Sequence, residues 1–141
     1  MRNVSIFYPV FALATWTFLV LLRIPFVRVR SVRRREIGAN DFKYGESLKV
    51  PPSVSIPNRN YMNLLELPML FYVVCVVLYV SDGVSDAVLF VAWAYVALRV
   101  VHSLVHLTYN HVLHRLFAFT LSNVALVSLW IMAAAHVLSK G

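Results

Sequence analysis

Arg59, Asn63 and Glu66 stand at i, i+4 and i+7 in a stretch otherwise dominated by Leu, Val, Met and aromatic residues. On a helix this spacing sets all three side chains on one stripe. At the centre of a membrane helix an unpaired carboxylate costs about 2.5–3.5 kcal/mol, so Glu66 marks either a site or a fixed contact between helices. A second apolar run carries Arg99, His102 and His106 at i, i+3 and i+7, again a single stripe. Arg28 closes the first apolar run and Arg115 opens the last. Together these cations exceed what one carboxylate can pair. The ligand that balances them carries carboxylate groups and at least one amine.

The elements that position these groups are membrane helices. Of 141 residues, 60% are hydrophobic and only 13% charged, against about 25% charged in soluble domains. The apolar residues fall into four runs, about 4–27, 59–80, 85–109 and 114–138. Each is near the roughly 20 residues that a helix needs to cross about 30 Å of hydrocarbon. None shows the strict alternation of a transmembrane β-barrel strand. The expected fold is an all-α membrane protein, a single four-helix bundle. The first run is too long for a signal peptide and has no basic n-region with a small-residue cleavage site, so it reads as a retained span. Cys75 is the only cysteine, which rules out an intrachain disulfide; within the second run it reads as an inert packing residue.

Charge orients the bundle. The loop at about 28–57 holds Arg28, Arg30, Arg33, Arg34, Arg35, Lys43 and Lys49 against Glu36, Asp41 and Glu46, and the connection between spans three and four carries Arg115 beside His111 and His114. The loop between spans two and three, from Ser81 to Asp86, is acidic and lacks Lys and Arg. Lys and Arg excess marks the cytoplasmic side, so both basic connections are expected there and both termini outside. The net charge of +7 flanks membrane spans with no recognition module, which argues against nucleic acid and for anionic lipid headgroups. Pro51, Pro52 and Pro57 argue against one continuous helix through the second half of the long loop. Asn58 is then the expected N-cap of span two. Pro68 should bend that span near Glu66 by displacing the Leu64 carbonyl.

Depth places the polar groups together. Asn63 and Glu66 lie roughly 8 and 12 Å beyond Asn58, and Arg99 roughly 15 Å from the end of span three near Tyr109, at about 1.5 Å per residue. Apart from Arg23 and His136, the strongly polar residues of the spans and their borders occupy the cytoplasmic half. The expected pocket is lined by Arg28, Arg59, Asn63, Glu66, Arg99, His102, His106 and Arg115. Individual residues also admit structural roles: a Glu66–Arg99 ion pair fixing helix register, Arg59 and Arg115 reaching headgroups, Asn63 bonding between helices. A metal site is not expected, since no H-E-x-x-H motif is present and Cys75 lies on the outer half of another span.

The pattern Arg59-x-x-x-Asn63-x-x-Glu66 with Pro68, then Arg99-x-x-His102, then Arg115, resembles the MAPEG family, the membrane-associated proteins in eicosanoid and glutathione metabolism. The likeness spans essentially the whole chain and is to small bacterial members. It implies a homotrimer of four-helix subunits in a bacterial inner membrane, with glutathione between neighbouring subunits at the cytoplasmic side. It further implies that Arg28, Arg59, Asn63, Glu66, Arg99 and His102 bind glutathione, with Glu66 on the ammonium. Arg115, assisted by His106, would stabilise the thiolate. The activity implied is that of a glutathione-dependent transferase or peroxidase acting on lipophilic electrophiles. Two departures stand out: His106 occupies the place of a tyrosine, and Leu116 that of a serine found near the thiol in some members. These departures keep open a second reading, a non-catalytic trimer that binds a lipid or small anion or scaffolds other membrane proteins.

Overall fold

The computed structural model describes residues 3–43 and 45–140 and is helical, with no strand among them. A 3-10 turn at Val4–Ile6 opens the chain, with the Asn3 side chain accepting from the Ser5 amide at 3.0 Å. It leads into α1 (Phe7–Arg33). Helix α1 has 27 residues, about 40 Å at 1.5 Å per residue, so its last turns project beyond roughly 30 Å of hydrocarbon. Helices α2 (Pro52–Leu65) and α3 (Leu67–Val80) make one broken span, followed by α4 (Asp86–Leu107) and α5 (Val112–Leu138). Four helical segments are long and apolar enough to cross a membrane: Val4–Arg33, Pro52–Val80, Asp86–Leu107 and Val112–Leu138.

Span two begins earlier than its prolines predict. Helix α2 starts at Pro52 and runs through Pro57, so Asn58 lies inside the helix and is not its N-cap. Pro52 suits the first turn, where the missing N–H would have no helical partner. Pro57 forfeits only the bond to the carbonyl of Ser53, which lies on the exposed first turn. Packing favours the helix, because Val54, Pro57, Asn60 and Leu64 are buried along it. Pro68 acts as its position demands. Glu66 adopts φ −71° and ψ −89°, the helix breaks there, and Pro68 enters the first turn of α3.

The core lies between the spans. Leu13 and Val20 of α1, Phe71, Val74, Cys75 and Leu78 of α3, Ala92 and Tyr95 of α4, and Leu126 and Leu129 of α5 are all buried in it. Phe71 stacks on Tyr95 with ring centroids 4.6 Å apart. The α4–α5 hairpin is the most extensive pairing, followed by α1 with α2. Ser85 caps α4 by accepting from the Val88 amide at 3.3 Å. Asn110, at φ 49°, closes the other end of α4, with its amide donating to Val105 O at 2.8 Å; asparagine tolerates this left-handed geometry better than most residues. At the opposite end of the bundle, a Cβ on Gly83 would lie 2.8 Å from the His136 ring.

The basic loop folds back on the bundle. Ile37, Val50 and Val54 form a small second core against Val27, Val32 and Phe42. Asp41 accepts from the Gly38 amide at 2.9 Å and from Ser47 Oγ at 3.0 Å. These donors, the Gly38 amide foremost, hold its carboxyl below the ordinary carboxylate value.

One buried polar contact ties spans two and three: Asn60 Nδ2 donates to Ser103 Oγ at 2.6 Å, with both residues fully buried. Hydrogen bonds between membrane helices contribute about 0.6 kcal/mol on average and about 1.7 at most. Asn60→Ala and Ser103→Ala should each lower stability by about that range, and the double variant should cost less than their sum. Reversible unfolding in mixed micelles checks this; strict additivity would show that the contact does not stabilise the bundle.

Candidate functional site

A cavity of about 560 Å³ opens at the basic end, where α2, α4 and α5 meet. Helical periodicity builds it. Arg59 and Asn63 come from α2, His102 and His106 from α4, and Arg115 and Phe119 from α5, each pair separated by four residues. Asn58, Met62, Asn110 and Leu116 complete much of the wall. No Asp or Glu lines it.

The polar groups around Arg115 are fixed by one another. Its Nη1 donates to Asn110 Oδ1 at 2.8 Å and lies 3.5 and 3.4 Å from the Nδ1 and Nε2 atoms of His106. Those two distances are long for hydrogen bonds, so the guanidinium shares the ring without a straight bond to either nitrogen. His102 Nδ1 lies 2.9 Å from the backbone carbonyl of Arg115. A carbonyl only accepts, so Nδ1 carries the proton and, in the neutral ring, Nε2 is an acceptor. That Nε2 is buried and has no partner among the described residues. His102 and His106 meet edge to face at 6.1 Å, and His102 also packs on Phe119 at 5.7 Å. Arg115 is half-buried, whereas both histidines are buried.

The expected pocket residues divide into two groups. Arg59, Asn63, His102, His106 and Arg115 converge on the cavity, while Arg28, Glu66 and Arg99 do not line it. Arg28 is drawn into the basic loop: its Nη2 meets Glu46 Oε1 at 3.0 Å and its guanidinium lies 4.7 Å over the Phe42 ring. Glu66 is exposed at the helix break, on the outward stripe it shares with Arg59. Arg99 is fully buried, with Nε donating to Tyr95 Oη at 3.2 Å and the guanidinium 5.2 Å from the Phe119 ring centre. Its two terminal nitrogens have no partner among the described residues. The Glu66–Arg99 ion pair does not form within the subunit, because Glu66 faces outward and Arg99 is enclosed by rings.

Sequence reasoning missed Asn110, whose side chain anchors Arg115. A signal was present, since an asparagine at the break between two apolar runs suits a left-handed turn. It also missed Phe119, which lies one turn after Arg115, lines the cavity and packs against the Arg99 guanidinium.

The MAPEG family model matches residues 6–135, nearly the whole length. The chain belongs to the MAPEG family. No curated protein and no solved structure matches it. The family resemblance read from the sequence therefore extends over nearly the whole chain. Membership, together with four apolar helices of spanning length, makes this MAPEG protein a multi-pass integral membrane protein.

Proposed function

We propose that this MAPEG protein is a glutathione-dependent transferase or peroxidase acting on lipophilic electrophiles, assembled as a homotrimer in a bacterial inner membrane. Its termini lie outside, and glutathione binds between subunits at the cytoplasmic side. The observation that carries the reading is the cavity bordered by Arg59, Arg115, His102 and His106 with no carboxylate in its lining. Its volume of about 560 Å³ lies within the roughly 300–1,000 Å³ of small-molecule sites. Glutathione matches it chemically, with two carboxylates for the guanidiniums. Its single ammonium calls for a carboxylate from beyond the lining, and Glu66 stands on the same stripe as Arg59 and Asn63.

Exposure of that stripe supports assembly. Arg59 and Glu66 are exposed on the isolated subunit although Glu66 sits within a span. A lipid-facing carboxylate at that depth is unfavourable, and a neighbouring subunit would cover it. Native mass spectrometry of the protein released from nanodiscs should give a mass of three subunits; a monomer at every lipid-to-protein ratio would contradict the assembly.

In the mechanism, Arg59 attracts a carboxylate of glutathione, with His102 and Asn63 orienting the peptide; Arg99, enclosed by Tyr95 and Phe119, would contribute only once Phe119 moves aside. Arg28 would contribute once released from Glu46. Arg115 stabilises the thiolate formed when the thiol proton leaves to water. For a transferase, the sulfur lone pair forms the new C–S bond and the leaving group departs with its bonding electrons. For a peroxidase, the thiolate attacks a hydroperoxide oxygen and releases the alcohol; a second glutathione then gives disulfide and water. The electrophile enters sideways from lipid along the apolar outer parts of the spans. Conjugation of a bilayer-partitioned electrophile by the reconstituted protein tests the activity.

One observation favours the non-catalytic alternative. Arg115 Nη1 is already engaged by Asn110, which suits an arginine that holds a turn. Saturable glutathione binding without thiolate absorbance or turnover would select that reading.

A further inference from the structure

The last turns of α1 carry a second feature, separate from the cavity above. Phe26, Val29, Arg30 and Arg33 follow one another at i, i+3, i+4 and i+7, so apolar and cationic side chains share one stripe. Phe26 is 67% exposed and Val29 50%, and Pro25 joins them in an apolar slot of about 610 Å³. Arg30, Arg33 and Arg34 border the end of this slot away from the middle of the span. On the adjoining side, Arg30 and Arg34 also border a cavity of about 260 Å³ with Arg23.

Little neutralises this cluster. Arg34 lies 3.9 Å from Glu36, whose other oxygen accepts from Ser31 Oγ at 2.5 Å. The side chains of Arg23, Arg30 and Arg33 make no hydrogen bond or ion pair among the described residues. An apolar slot lying along a membrane helix, with guanidiniums at the end that leaves the hydrocarbon, has the two-part chemistry of an anionic amphiphile. The apolar part faces acyl chain, and the guanidinium forks match a phosphate bidentately.

We infer that the C-terminal end of α1 is a binding site for one anionic phospholipid of the surrounding bilayer, its phosphate held by Arg30, Arg33 and Arg34 and its acyl chain lying against Phe26 and Val29. The site does not depend on glutathione binding, so each proposal can fail without the other.

Native mass spectrometry of the full chain, purified in detergent and titrated with equal amounts of phosphatidylglycerol and phosphatidylcholine, tests the site. The expected result is one phosphatidylglycerol retained per subunit in preference to phosphatidylcholine. Arg30→Gln should weaken it about fivefold, from ~1 kcal/mol per basic residue near the membrane surface at 1.4 kcal/mol per tenfold. Arg35→Gln makes the same charge change outside both cavities and should leave the preference intact. Phe26→Ala should reduce retention while preserving the arginine-dependent choice of headgroup. Equal retention of the two lipids would overturn the proposal. So would equal losses in Arg30→Gln and Arg35→Gln, which would indicate diffuse charge attraction. Displacement of the lipid by an equal concentration of inorganic phosphate would reduce the feature to a plain anion contact and also overturn it.

Discussion

Arg115→Ala is expected to abolish the thiolate absorbance of bound glutathione at neutral pH and to slow conjugation by about 10²–10³-fold, the usual cost of removing one donor that stabilises developing negative charge. A guanidinium stays protonated at any working pH, so its electrostatic contribution to the thiolate is always present. The neighbouring His106, 3.4–3.5 Å from Arg115 Nη1, contributes only while protonated. His106→Phe should therefore have the smaller effect at neutral pH and alter the pH profile of the thiolate signal. Because Arg115 also anchors Asn110, a loosened turn would imitate a catalytic defect. Asn110→Ala removes that anchor and keeps the cation, so it should retain the thiolate signal. Arg115→Lys keeps the charge without the planar fork and should recover part of it. A signal unchanged in Arg115→Ala would remove Arg115 from the chemistry.

Glu66→Gln should weaken glutathione binding by about 10–100-fold, since a hydrogen bond to a charged group contributes about 1.5–3 kcal/mol and each 1.4 kcal/mol is tenfold. The trimer should persist. Glu66 stands at the break between α2 and α3 and makes only backbone hydrogen bonds there, accepting from Met69 N at 3.3 Å and donating to Met62 O at 3.2 Å. Its carboxylate therefore has no structural partner to lose among the described residues. Equilibrium titration in nanodiscs, alongside the assembled mass, separates the two roles. Loss of the trimer without a separable change in affinity would make Glu66 an assembly residue.

Four spans were legible because apolar runs of membrane length have few other uses, and the break at Glu66 was legible because Pro68 lacks a donor wherever it stands. The start of α2 was not. Local rules at Pro51, Pro52 and Pro57 argue for a loop, while burial of Val54, Pro57, Asn60 and Leu64 decides for a helix, and burial is a property of the assembled bundle. The same distinction holds at the site. Helical period put Arg59 with Asn63 and His102 with His106 on common faces, and each pair lines the cavity. Period alone does not set how each helix is rotated against its neighbours. That rotation encloses Arg99 between Tyr95 and Phe119, turns Glu66 outward, and leaves Arg28 to Glu46. Asn110 escaped because its role depends on a left-handed turn that brings its side chain to Arg115.

The most direct test of the central claim is a glutathione titration of the unmodified protein in nanodiscs, following binding and thiolate absorbance together at neutral pH. Saturable binding is expected, accompanied by a thiolate signal that grows in proportion to occupancy. Absence of saturable binding at high glutathione would contradict that claim.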